Sequence, residues 1–303
     1  MLAEHAVITN VQDITRDFQE YLSDPLTTDV IINPNQQTFV SYANGKKVSL
    51  GKYDITRTWA MIATITTAIQ RTITERNPTV LGRIPGTPHR ITMSIPPVTK
   101  GPMVAIRCHG KNVRPLASYV SQGILTAEQF HQLQEDIRER KNITVTGATG
   151  SGKTTFLNAL LGEVHKLTPH DRVVTIEEES EELQCPLEDT TSYYTCENRE
   201  MQELVQLSLR SQPTRIVIGE VRTASAWQLV KAWRTGHRGG LTTIHADYGV
   251  HDAIQRMRDM VSEARMTVSA QSLRKLMHVI IHLRCEQGRR IYERFETTKG
   301  TIQ

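Results

Sequence analysis

Gly147-Ala-Thr-Gly-Ser-Gly-Lys153-Thr154-Thr155 is the stretch whose residue types and spacing can do chemistry. It reads G-x-x-x-x-G-K-[ST], the pattern of a phosphate-binding loop, which carries meaning only between a strand and a helix. Both flanks are present. Ile143-Thr144-Val145-Thr146 is a β-branched run suited to a buried strand, and beyond the loop Leu157, Leu160, Leu161 and Val164 share one helical face. Gly147, Gly150 and Gly152 free the backbone to turn successive N–H groups toward an anion, and the helix opening near Lys153 adds its positive end. Thr149, Ser151 and Thr155 complete the cradle. Lys153 would reach the β- and γ-phosphates, and the Thr154 hydroxyl would ligate Mg²⁺. The pattern alone implies nucleotide binding, not hydrolysis.

Three further segments follow strand-like runs, where the functional residues of a parallel sheet gather. Ile176 leads into Glu177-Glu178-Glu179-Ser180-Glu181-Glu182, a solvated acidic loop unless a carboxylate orients water or holds metal through its water shell. Ile216-Val217-Ile218-Gly219-Glu220 resembles a Walker B strand, with Gly219 where many such enzymes have aspartate. Glu220 could hold the water shell of Mg²⁺ or polarise the attacking water; a salt bridge with Arg222 is the alternative. The third segment runs from Gly236-His237 through Gly239-Gly240 to His245-Ala246-Asp247. A metal site is disfavoured there because the glycine pair prevents a shared helical face. His245, at a strand end, is placed to sense or stabilise the γ-phosphate, unless it is a satisfied core histidine.

The elements that must position these residues are legible in outline. After the loop, strands at 172–176, 215–218 and 241–244 alternate with helices at 201–209 and 224–233, the signature of a parallel sheet with crossovers. Helices near 253–264 and 270–277 and strands at 279–283 and 290–293 close the chain. Thr126-x-x-Gln129 is a capping box that opens a helix with Phe130, Leu133 and Ile137 facing inward. The first hundred residues form a separate α+β unit, with strands at 29–33, 37–42, 47–50, 90–95 and 103–107. Its helix from Ile55 is expected to bury Ile55, Trp59, Ile62, Ile69 and Ile73. Prolines and glycines between Leu81 and Gly110 suggest a hinge. The expected architecture is an α/β, RecA-like P-loop ATPase domain over 125–303 with a parallel-rich sheet. A smaller α+β N-terminal domain over 1–110 and a linker at 111–124 precede it.

Composition bounds the partners. At 303 residues with 38% hydrophobic and 22% charged side chains, the chain can bury real cores, and a net charge of +4 gives no indication of direct nucleic-acid binding. No secretory leader and no run of eighteen apolar residues is evident, so the reading is intracellular, with any membrane contact peripheral. Cys108, Cys185, Cys196 and Cys285 are scattered, which argues against zinc and disulfides.

Taken together, G-A-T-G-S-G-K-T-T at 147–155, the acidic box at 176–183, L-R-S-Q-P-T-R-I-V-I-G-E-V-R at 209–222 and T-G-H-R-G-G-L-T-T-I-H-A at 235–246 resemble the secretion ATPases of type IV secretion and conjugation. TrbB-type conjugal transfer ATPases are similar in particular, within a superfamily that includes pilus motors. I-I-N-P at 31–34, I-P-P-V at 95–98 and I-R at 106–107 extend the resemblance into the first domain. It implies an ATP- and Mg²⁺-dependent homo-oligomer, a hexameric ring at the cytoplasmic face of the inner membrane, working with secretion or conjugation machinery. Nucleotide would sit between two domains that close and release. Carried over by motif, Lys153 and Thr154 bind phosphate and Mg²⁺, Glu220 is the Walker B acid, and His245 is the histidine-box residue. Arg90 and Arg107 match arginines that reach the phosphates. The acidic box departs from the family's I-E-D pattern, so Glu177 and Glu178 both stand for the catalytic glutamate, with Glu178 preferred. Arg210, Arg215 and Arg222 belong to the pattern without an assigned role. A pilus extension or retraction motor, a nucleic-acid-dependent motor and an ATP-binding scaffold are the rival readings.

Overall fold

The computed structural model describes residues 2–108, 113–178, 182–196, 198–246, 249–286 and 289–297. They divide into two units, Met1–Asn112 and Val113–Gln303.

In the first unit, α1 (Leu2–Ile14), α2 (Gln19–Ser23) and α3 (Ile55–Ala68) accompany six antiparallel strands: β1 (Thr27–Ile32), β2 (Gln37–Tyr42), β3 (Lys47–Lys52), β4 (Thr79–Arg83), β5 (Arg90–Ser94) and β6 (Met103–Arg107). Among the described residues the sheet order is β3-β2-β1-β6-β5-β4. Strand alternation buries Val30 and Ile32, Ile91 and Met93, and Val104 and Ile106 in one core with Val11 of α1 and Met61, Ile62 and Ile65 of α3.

The stripe on α3 differs from expectation. Ile55 and Trp59 are exposed, and Ile69 and Ile73 lie beyond the helix end; the buried positions are Thr58, Met61, Ile62, Ile65 and Thr66. The threonines can be buried because their hydroxyls are satisfied locally. Thr66 Oγ1 donates to Ile62 O at 2.7 Å, and Thr58 Oγ1 donates to Gln36 Oε1 at 2.7 Å.

The second unit contains α4 (Ala117–Ser121), α5 (Ala127–Arg138), β7 (Ile143–Thr146), α6 (Lys153–Leu167), β8 (Val173–Glu177), β9 (Thr190–Tyr194), α7 (Met201–Ser208), β10 (Arg215–Ile218), α8 (Ser225–Arg234), β11 (Leu241–Ile244), α9 (Gly249–Glu263), α10 (Ala270–Leu276), β12 (Val279–Glu286) and β13 (Arg289–Glu296). The sheet order is β13-β12-β7-β11-β10-β8-β9, parallel throughout except for the β12–β13 hairpin. This is the expected α/β class, with the parallel-rich sheet in the second unit and a separate N-terminal sheet. Phe156, Leu157, Leu160, Leu161 and Val164 of α6 pack on one face with Leu133 and Ile137 of α5. Helices α7 to α10 cover the other. The Thr126–Gln129 capping box closes reciprocally, at 2.8 and 3.1 Å. Of the stretch expected as a linker, 111–124, the described residues 113–124 fall in this unit, with Leu116 and Tyr119 buried in its core.

Arg215 opens β10 at the end of the sheet away from the phosphate loop and is fully buried. Its Nε donates to Asp171 Oδ2 at 2.6 Å and its terminal nitrogens donate to Ile137 O and Gly239 O. Burial alone would raise the Asp171 carboxyl, but hydrogen bonds and charge from Arg215, reinforced by Arg140, hold it below the usual carboxylate range. A depressed folded pKa contributes stability above the unfolded value, about 4, and that contribution is lost as pH falls through the folded value. Asp171→Asn is therefore expected to cost about 3–5 kcal/mol near neutrality by stranding a buried guanidinium. In denaturant titrations at pH 7 and pH 3 the gap from wild type should shrink at the lower pH.

Candidate active site

Because β7, β11, β10 and β8 are parallel and adjacent, their C-terminal ends line up in that order, about 4.8 Å apart. The row therefore runs from the phosphate loop after Thr146 to His245 after β11, the Gly219-Glu220 segment after β10, and Glu177-Glu178 at the end of β8. Four segments separated by tens of residues become one edge.

In the loop, Gly147, Gly150 and Gly152 have φ of +143°, +77° and +95°, a region that side chains disfavour. Gly147 is also constrained sterically, since an added Cβ would lie 2.2 Å from Leu283 O of β12. Thr149, Gly150 and Thr155 are exposed and Thr154 is half-buried in the first turn of α6. The Ser151 hydroxyl is buried and makes no hydrogen bond within the described residues. That orphaned hydroxyl, inside a loop of left-handed glycines at the start of a fifteen-residue helix, fits an anion such as a nucleotide phosphate. Mg²⁺ would be held by Thr154 and, through water, by Glu220, and would supply neutralisation of phosphate charge.

Lys153 joins the loop to the neighbouring strands. Its Nζ donates to Gly147 O and Ala148 O, each at 2.9 Å, and lies 3.4 Å from His245 Nδ1. His245 Nε2 is 3.0 Å from Glu220 Oε1. Arg222 then donates to Glu220 Oε2 at 2.7 Å and to Glu178 Oε2 at 3.0 Å. A row of close polar and charged contacts results, Lys153, His245, Glu220, Arg222, Glu178, in which the His245–Glu220 approach is a contact and not a hydrogen bond, because Glu220 Oε1 is buried without a hydrogen-bond partner among the described residues. Burial, then the Lys153 charge, pull the His245 pKa down against the opposing Glu220, so the ring is neutral at pH 7. An ammonium can only donate, so Nδ1 faces it as acceptor and the proton of the neutral ring sits on Nε2.

The two candidate glutamates of the acidic box are in different situations. Glu177 is buried, and its Oε1 accepts from the Glu182 and Leu183 amides at 2.7 and 2.9 Å, closing the loop on itself. Glu178 is exposed and enters the row of contacts through Arg222. Glu179, Ser180 and Glu181 lie outside the described residues, as does Asp247. The glycine at 219 has a physical reason: an added Cβ would come within 3.2 Å of Glu177 Cγ and 3.4 Å of its Oε1. Gly219→Asp would drive a second carboxylate against the first, and its expected cost is about 2–4 kcal/mol, read as a lowered melting temperature. A Gly219→Ala variant should lose less.

His237 and His245 lie beyond opposite ends of β11 and cannot share a metal ion. Arg215 belongs to the distant end of the sheet, Arg222 to the site, and Arg210 is exposed after α7. In the first unit, strand register sets Arg90 opposite Arg107, and Asp29 opposite Arg107 on its other side. Arg107 donates to both Asp29 oxygens, at 3.0 and 3.3 Å. The row is two arginines and a carboxylate, and the Asp29–Arg107 ion pair supplies the counter-charge that lets two like charges stand opposite each other. The Glu220–Arg222 salt bridge, raised from the sequence as the alternative to a functional Glu220, forms; what the sequence did not reveal is that Arg222, four residues after Ile218, also bonds Glu178 and so bridges the two acidic segments.

A family model described as "Type II/IV secretion system protein" matches residues 39–301. Conjugal transfer protein TrbB of Rhizobium radiobacter is 32% identical over 273 residues, spanning 90% of this chain and 84% of that protein. Type IV secretion system protein VirB11 of Bartonella henselae is 24% identical over 337 residues, spanning 97% and 92%. Among solved structures, the pilus retraction motor PilT with bound ADP superposes with a TM-score of 0.69 at 17% identity, over 96% of this chain and 83% of that one. At that identity the likeness shows a common fold.

Proposed function

The chain belongs to the type II/IV secretion system protein family, and from that premise we propose a hexameric motor that uses Mg-ATP cleavage to drive pilus assembly or substrate movement. It is an ATPase of the type IV secretion and conjugation kind. The proposal adds the ring, the cofactor Mg²⁺, the residue roles and a working place at the cytoplasmic face of the inner membrane. Among the described residues no helix is long and apolar enough to cross a membrane, which is compatible with peripheral attachment.

The observation that carries this reading is the row of contacts from Lys153 to Glu178. A loop that only bound nucleotide would need the glycines, Lys153 and Thr154. It would not need a neutral histidine aimed at a carboxylate that a guanidinium joins to a second carboxylate. In the proposed mechanism the loop amides and Lys153 hold the β- and γ-phosphates. Glu220 orients the attacking water or the metal's water shell, His245 reports the γ-phosphate to Glu220 from the side, and Glu178 is the second acid. Glu177 acts through position, by holding the acidic loop against Gly219. Arg90 and Arg107 are proposed as phosphate-reaching arginines; the register that sets them opposite each other on neighbouring strands is what supports that role.

Light scattering with and without Mg²⁺ and a slowly hydrolysed ATP analogue tests the assembly. A mass six times that of the chain with nucleotide supports the ring, and a monomer under every condition removes it.

A further inference from the structure

The phosphate loop has two flanks. On the β11 side stand His245 and Glu220; on the β12 side, Leu283 O closes against Gly147, and the antiparallel partner of β12 is β13. Strand β13 turns every second residue toward α5 and α6. Arg294 holds Asp136 of α5 with two hydrogen bonds of 2.8 Å. Tyr292 packs on Phe156 of α6, with ring centroids 5.7 Å apart. The next residue on that face is Arg290. Its guanidinium reaches Gly152, the residue that caps α6, so that an added Cβ there would meet Nε at 3.4 Å and Cζ at 3.8 Å.

A fixed cation at this point is unfavourable in isolation, because a helix N-terminus carries partial positive charge and repels it. Nothing in the packing of Tyr292 or Arg294 requires arginine at 290, and an anion between guanidinium and helix end reverses the sign of the interaction. The Ser151 hydroxyl, in the residue before Gly152, is buried and makes no hydrogen bond within the described residues, a second polar group of the loop left for a ligand.

We propose that Arg290 is a nucleotide-binding residue that contacts the α- and β-phosphates, the part that remains once the γ-phosphate has left. The groups argued to act on the γ-phosphate all approach from the β11 side, so a contact from the β12–β13 side falls on the diphosphate. This inference rests on the reading of the loop as an ATP site and extends it to a residue 137 positions after Lys153, in the closing hairpin.

Calorimetric titration of the full chain with ADP and, separately, with inorganic pyrophosphate tests it. Arg290→Ala should weaken both ligands by about 10- to 100-fold, the loss expected for one charge-assisted contact, and Arg290→Lys should recover part of it. Because Arg290 is exposed, the melting temperature without ligand should not move. Unchanged ADP affinity in Arg290→Ala, with affinity weakened in Lys153→Ala, would overturn the role of Arg290 and leave the ATP site standing. A loss for ADP with none for pyrophosphate would also overturn it, since the contact would then be to the nucleoside. A wild-type chain that binds neither ligand would remove the ATP site and this inference together.

Discussion

Lys153→Ala is expected to reduce ATP turnover by about 10³-fold or more while leaving the fold intact. The magnitude follows from removing a fixed cation from the place where phosphate charge develops, where comparable groups are worth about 10³–10⁵. In this chain Lys153 has an additional task. Its ammonium ties the Gly147 and Ala148 carbonyls together and stands against His245, so the variant also loosens the loop and frees Nδ1 of the ring. Burial, opposed by the Glu220 charge and reinforced by Arg222, pulls the Lys153 pKa below its ordinary value. Nucleotide affinity should fall about 10- to 100-fold. Turnover at the wild-type rate would mean that another group grips the phosphates.

Glu220→Gln should separate binding from cleavage. The amide keeps the shape, but it carries no charge for Arg222 and cannot act as a base. We expect kcat to fall about 10²–10³-fold, with ATP affinity within about threefold of wild type. Loss of the carboxylate also removes the charge that raises the His245 pKa, so the ring stays neutral and its protonation cannot explain a fall in rate. An ATP-binding scaffold would show no difference between the two proteins, and the measurement therefore also decides that rival reading.

Much of the second unit was legible because its signals are local. The β-branched runs of β7, β10 and β11 are four residues long and buried on both faces, and the glycine pattern of the loop requires a strand and a helix on either side. The α3 stripe was misread because threonines were counted as polar. Thr58 and Thr66 are core residues whose hydroxyls bond to Gln36 and to the preceding turn, so the stripe keeps Ile62 as expected but runs through Met61, Ile65 and the threonines in place of Ile55, Trp59, Ile69 and Ile73. The strand β9 was not legible: Thr190–Tyr194 is a half-exposed edge with little hydrophobic contrast. The site was legible as a set of segments but not as a row of contacts. The order Lys153, His245, Glu220, Arg222, Glu178 depends on which strands are neighbours, and the jump from β8 to β10 and β11 is set by crossovers that no single window contains. Arg290 illustrates the same limit, since only the β12–β13 hairpin brings it to Gly152.

The most direct test of the central claim is phosphate release from Mg-ATP by the purified full chain, followed across protein concentration and repeated with Mg²⁺ removed by chelation. The account predicts release whose specific rate rises as the assembly forms and falls to background without the metal. Release no faster than in buffer at any concentration, with ATP demonstrably bound, would contradict it.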